Sequence, residues 1–239
     1  MKHSLIAFGF ILFVFGCNSK NNQTEKSATT SNKISTGFIL RGELKKGKAT
    51  TVYLNKIIGN TLYQIDSAQI VNNLFKIQGV VEYPERFAIT FDTYAFKTLL
   101  IIENTSINLT IDIEQINDPI ISGSTLNDQL LTYKNESKTI FRKIDYLYPR
   151  FQKARLENDI QKLKEIGLEM KKIELEFTKF SFQFIEDNKN SFIAPILLSD
   201  LLKASTIDTT RIKESYNLIA TNVKDSPDAQ IIASFLELH

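Results

Sequence analysis

The chain has 239 residues, with 29 Lys plus Arg against 27 Asp plus Glu and a net charge of +2, so it lacks the clustered basic surface that a nucleic-acid backbone selects. Its single cysteine is Cys17 and its two histidines are His3 and His239. That distribution removes Ser-His-Asp and Cys-His catalysis, multi-histidine metal sites and Cys-x-x-Cys redox chemistry, because each needs an imidazole or a second thiol within the folded part.

The chain opens with Met1-Lys2-His3 and an apolar stretch from Leu5 to Phe15, too short for the ~20 residues that span a bilayer as a helix. It reads as a signal peptide over residues 1–16. The stretch ends Val14-Phe15-Gly16-Cys17, which resembles the lipobox of bacterial lipoproteins, with Phe15 bulkier than the usual small residue. The resemblance implies that Cys17 is diacylated and becomes the new N-terminus; the alternative is a signal peptide with an incidental cysteine. Two acyl chains give stable anchoring where one is marginal. Asn18 in place of Asp argues against inner-membrane retention, so the expected location is the outer membrane, facing the periplasm. No acidic run of the surface-export type follows Cys17. Residues 18–35 are dominated by Asn, Ser, Thr and Lys and bury too little to order themselves. As a coil this tether averages roughly 23 Å end to end.

From residue 36 to 123 about eight short apolar-alternating segments follow. They begin at Phe38, Thr51, Leu62, Phe75, Phe87, Thr98, Ile107 and Pro119. Alternation in Phe75-x-Ile77 and Ile107-x-Leu109-x-Ile111 sets one face on a core and the other in water. Strands of this length and spacing predict an antiparallel β-sandwich or open barrel. Asn72-Asn73 reads as a two-residue hairpin turn, since asparagine tolerates positive φ. Pro84 belongs at a strand end or a sheet edge.

The module resembles a family in the order of its motifs: Phe38-x-Leu40-x-Gly42, Val52-Tyr53-Leu54, Ile65-Asp66-Ser67, the Asn72 to Gly79 hairpin, Pro84, and Ser122-Gly123-Ser124-x-x-Asn127. It is similar to the domain of unknown function that precedes the thioredoxin-like domain in Bacteroidota thiol:disulfide lipoproteins. The resemblance implies the fold, the compartment and a link to a thioredoxin-like partner. The Cys-x-x-Cys that carries the family's redox activity is not in this sequence.

Residues 124–239 read as four to five helices, which makes the fold α+β overall. Ser124 or Asn127 caps the first, and Pro149 predicts a kink or break near Leu147. After a turn at Glu157 to Asp159, the longest helix runs to about Glu186 with a stripe of Leu163, Ile166, Met170, Ile173, Phe177, Phe180 and Phe184. Met170, Phe177, Phe180 and Phe184 are candidate interface residues if the stripe forms an intermolecular coiled coil. In the other arrangement the stripe packs inside its own chain as a helical hairpin. Phe180, Phe182 and Phe184 exceed what one stripe needs, so part of this end meets the β module or a partner. Ser191 caps a helix from Phe192 to Leu202, Asp208 one from Arg211 to Val223, and Ser226-Pro227 starts the last.

Asp66-Ser67-Ala68 and Asp208-Thr209-Thr210 resemble the O-glycosylation acceptors of secreted Bacteroidota proteins, which makes Ser67 and Thr209 candidate acceptors. Asp66, Asp92, Asp112 and Glu114 do not form a spaced acid and base pair. The expectation is a lipid-anchored binding or accessory module without catalysis, metal or cofactor. The alternatives are the remnant of an oxidoreductase and a self-associating structural lipoprotein.

Overall fold

The computed structural model describes residues 37–59, 61–204 and 208–237. Cys17, the leader and the tether lie outside them, as does His239. Eight strands come first: β1 (Phe38–Lys45), β2 (Thr51–Ile58), β3 (Thr61–Gln69), β4 (Leu74–Gly79), β5 (Glu85–Phe91), β6 (Thr98–Ile102), β7 (Ser106–Asp112) and β8 (Ile120–Ser122). Five helices follow: α1 (Thr125–Leu156), α2 (Ile160–Asp187), α3 (Ile193–Leu201), α4 (Thr209–Leu218) and α5 (Pro227–Phe235).

The strands make two four-stranded sheets, ordered β4-β1-β7-β8 and β3-β2-β5-β6. Their facing sides bury one core of Leu40, Leu44, Leu54, Ile89, Leu100, Ile107 and Ile111. This is the expected sandwich, with one correction: β1 and β7 pair in parallel, Leu40 opposite Ile107. Alternation sets which face is buried but is blind to strand direction, because a parallel and an antiparallel neighbour have the same period of two. The Asn72-Asn73 turn forms as expected, with both residues at positive φ (51° and 64°) between the bridged pair Val71 and Leu74. Pro84 immediately precedes β5, at the expected strand end.

Glycine and phenylalanine alternate roles across the β1–β4 pair. Gly42 lies opposite Phe75, whose ring occupies the space a β-carbon on Gly42 would need; Phe38 stands opposite Gly79 and covers it. The pairing of motifs at the two ends of this strand pair is therefore a packing requirement.

Helix α1 runs through Pro149 without a break, so of the expected kink or break near Leu147 the break does not occur. A proline inside a helix costs about 3 kcal/mol. The seam with α2 offsets it: Ile140, Ile144, Leu147, Phe151 and Ala154 on one side meet Leu163, Ile166, Met170 and Ile173 on the other. Bidentate Arg150 to Glu169 and Lys143 to Glu176 bridge the same two helices at the surface. The α1–α2 pair is thus a hairpin within the chain. The later helices are shorter than expected at one point: α4 ends at Leu218 and Thr221–Val223 is a separate 3-10 turn.

The helices lie on the outer face of the second sheet. Ile101 of β6 is buried among helical residues including Phe182, Ile185, Leu197 and Ile232. One side chain fastens the two layers. Asn127 in the first turn of α1 accepts from the Ile101 amide at 2.9 Å and donates to the Ile101 carbonyl at 2.7 Å. It thereby pairs with the open edge of β6 as a neighbouring strand would. Gly123 at φ +83° makes the bend that delivers it, against the carbonyl of Ser106. Ser124 caps the helix through its side chain and, with the Leu126 amide, donates to Glu103.

Truncating Asn127 strands a buried amide and a buried carbonyl, each costing about 1–3 kcal/mol. Asn127→Ala is therefore expected to lose roughly 2–4 kcal/mol in urea unfolding. Thr132→Ala, an exposed change one turn on, is expected to stay within about 0.5 kcal/mol.

Candidate functional site: the cleft between sandwich and helices

On the outer face of β5, Arg86 stands where its neighbour Ala88 is fully buried. A charge there needs a partner. Arg86 finds it on α3, with its guanidinium bidentate on Asp200 at 2.6 and 2.9 Å and a third bond to the Ile196 carbonyl at 3.3 Å. Asp228, in the first turn of α5, lies 3.8 Å away and accepts from Ser199. One strand and two helices thus converge on a polar hub. Burial opposes the charge on Arg86, but Asp200 and Asp228 outweigh it and hold the guanidinium above its ordinary value. Asp228 is pushed up chiefly by burial, with Asp200 and Glu85 adding to the rise and Ser199 and Arg86 opposing it.

Beside this hub the end of the sheet and the helices diverge, leaving a cleft of about 860 Å³. Its walls are apolar: Ile57, Ile58, Leu62 and Leu99 from the sheet, Ile231 from α5. Its charged margin is Lys56, Glu85, Arg86, Lys97, Lys203 and Asp228. Lys56 is paired with Glu85 at 3.0 Å, and Lys203 reaches the already engaged Asp200 at 3.0 Å. A smaller cleft of about 560 Å³ lies between β8 and α1, beside Lys134 and Lys138.

The candidates named from the sequence fall elsewhere. Ser67, on the outer strand β3, and Thr209, at the start of α4, are both exposed and stand apart from the cleft. Met170, Phe177 and Phe180 pack in the α1–α2 seam, where Phe177 also meets Phe141 with ring centroids 4.7 Å apart. Phe184 packs against the helical core, and Phe180 and Phe184 flank Tyr133 at 5.3 Å each. Phe182 is buried in the cluster that also contains Ile101 of β6, so this end of α2 belongs to the core the helices share with the β module. Asp92 accepts from Thr50 and Asp112 caps a 3-10 turn, so both serve turns. Among the described residues no group of three or more His, Cys, Asp and Glu is placed to hold a metal.

Sequence reading missed Arg86 because its partners stand more than a hundred positions away, on two other elements. The signal available was a lone arginine inside a largely apolar strand.

The raised carboxyl of Asp228 gives a pH-dependent prediction. A folded-state value above the unfolded one means that the folded chain holds this proton more tightly. Stability from this group is then complete below the ordinary carboxylate range and is lost as pH rises through the raised value. Asp228→Asn does not titrate, so its stability relative to the unmodified protein should increase as pH rises through that window. Paired denaturation curves from the acid side of the carboxylate range to neutrality check this, and a relative gain toward acid contradicts it.

Residues 38–130 match DUF4369, a domain of unknown function. No curated protein matches the chain. The matched stretch takes in all eight strands and the opening of α1, so the Asn127 clasp on β6 falls inside it while Asp200 and Asp228 fall outside. Residues 38–130 are thus a DUF4369 domain, and the cleft is built partly from it and partly from the helices that follow.

Proposed function

We propose that this protein is a lipid-anchored binding or accessory module of the periplasmic face of the outer membrane, without catalysis of its own. The observation that carries the binding role is the cleft. It joins apolar walls to a charged margin, at a size typical of small-molecule sites (about 300–1,000 Å³). Among the described residues the side chains that line it include no cysteine and no histidine, and its acids Glu85 and Asp228 are engaged by Lys56, Ser199 and Arg86 in structural pairs.

The anchor rests on Val14 to Cys17 in the sequence. Among the described residues no helix is long and apolar enough to cross a membrane. A partner of the thioredoxin-like class, separately encoded, is the accessory role that the motif order of the sandwich favours.

Labelling cells with an alkynyl fatty acid tests the anchor. The expected result is a labelled, membrane-sedimenting protein that loses both properties in Cys17→Ser. An unlabelled wild-type protein, or a Cys17→Ser variant that remains labelled, overturns it. Steady insulin-disulfide reduction by the purified protein without added thiol enzyme contradicts the non-catalytic reading.

A further inference from the structure

We propose that the cleft beside Arg86 binds a single-chain anionic amphiphile, its acidic head on Lys97 and Lys203 and its chain along Ile57, Leu62, Leu99 and Ile231. The inference rests on the binding role given above and adds the chemical class of the ligand.

The charge argument is one of elimination within the cleft. Glu85 is matched by Lys56, and Asp200 is matched by the bidentate Arg86. Asp228 is held between Ser199 and Arg86. The one charge in the lining without an ion pair among the described residues is cationic. Lys97 is exposed and has no ion pair among the described residues, and Lys203 keeps 73% of its side chain in water while sharing Asp200 with Arg86. An anion at Lys97 meets no carboxylate in the lining that lacks its own partner, and the acid beside Lys203 is already held by Arg86.

The walls argue for an apolar chain. Leu99 and Ile231 are 38% and 56% exposed, and Ile58 beside them is 55% exposed. Together with Ile57 and Leu62 they make the apolar part of the lining, which suits an alkyl chain. Other ligand classes fit less well. Among the described residues the lining has no aromatic side chain for a sugar ring or a base to stack on, and its arginine is already bidentate on Asp200.

Burying each methylene tightens binding by about four-fold, which makes chain length a direct readout. The test uses the full-length protein in phosphatidylcholine vesicles and a diazirine-bearing hexadecanoate, with the cross-linked peptides mapped by mass spectrometry. The expected result is label on residues 56–62, 97–99 and 227–231. Dodecanoate should compete at least ten-fold better than octanoate, and dodecyltrimethylammonium should not compete. The double variant Lys97→Gln, Lys203→Gln should lose at least ten-fold in labelling with its thermal midpoint within a few degrees of the unmodified protein's, since Lys97 is unpaired among the described residues and an exposed pair such as Lys203 with Asp200 contributes only about 0–1 kcal/mol. Dodecyl phosphate serves as a parallel arm: competition equal to dodecanoate assigns the site to anionic heads in general, and weaker competition assigns it to carboxylates.

Labelling of the same peptides that the cationic amphiphile displaces equally well overturns the anionic class but leaves the binding role standing. Absence of label from all three peptides, whatever the head group, overturns the inference and removes the cleft as the basis of the binding role.

Discussion

The open edge of β6 is the constraint on which the rest of this structure depends. A sheet edge exposes unpaired amides and carbonyls, and burying such an edge under helices without partners would cost several kcal/mol. The chain meets that demand with one carboxamide, Asn127, which occupies both the amide and the carbonyl of Ile101. That bond fixes where α1 starts. The direction of α1 then sets α2 against it, and the buried end of α2 brings Phe182 and Ile185 over Ile101. The helical layer is therefore an extension of the second sheet's core.

A second fastening stands at the other side of the same layer. Arg86 links β5 to Asp200 on α3 and lies near Asp228 on α5, so helices far along the chain are tied to a strand of the sandwich. The arrangement has a cost, since burial works against the charges of Arg86 and Asp228. Its consequence is a polar hub at which β5, α3 and α5 meet. The cleft lies beside that hub, with Arg86 and Asp228 in its lining.

Much of this was legible in local pattern. Period-two alternation marked the strands, the paired asparagines marked a tight turn with positive φ, and Ser124 and Asp208 marked helix starts that their side chains do cap. The three phenylalanines near the end of α2 signalled burial beyond the hairpin, and Phe182 lies in the core that also holds Ile101. What local pattern did not carry was direction and distance. The parallel pairing of β1 with β7 depends on how the two sheets are joined. The continuity of α1 through Pro149 depends on a facing helix whose packing offsets a local penalty. The hub beside the cleft depends on Arg86, Asp200 and Asp228, which share no sequence neighbourhood. Asn127 was visible as part of a motif, but its purpose became apparent only with the strand it completes.

If Asn127 and Arg86 make one cooperative body of sandwich and helices, the amide of Ile101 should be among the last to exchange. Native-state hydrogen exchange of the intact protein across a denaturant series measures this directly. The account predicts that Ile101 exchanges through the same global opening as Ile89 in the sandwich and Ile185 in α2, with a common free energy and denaturant slope. Fast exchange at Ile101, or separate opening energies for strands and helices, would show two bodies merely in contact and would contradict it.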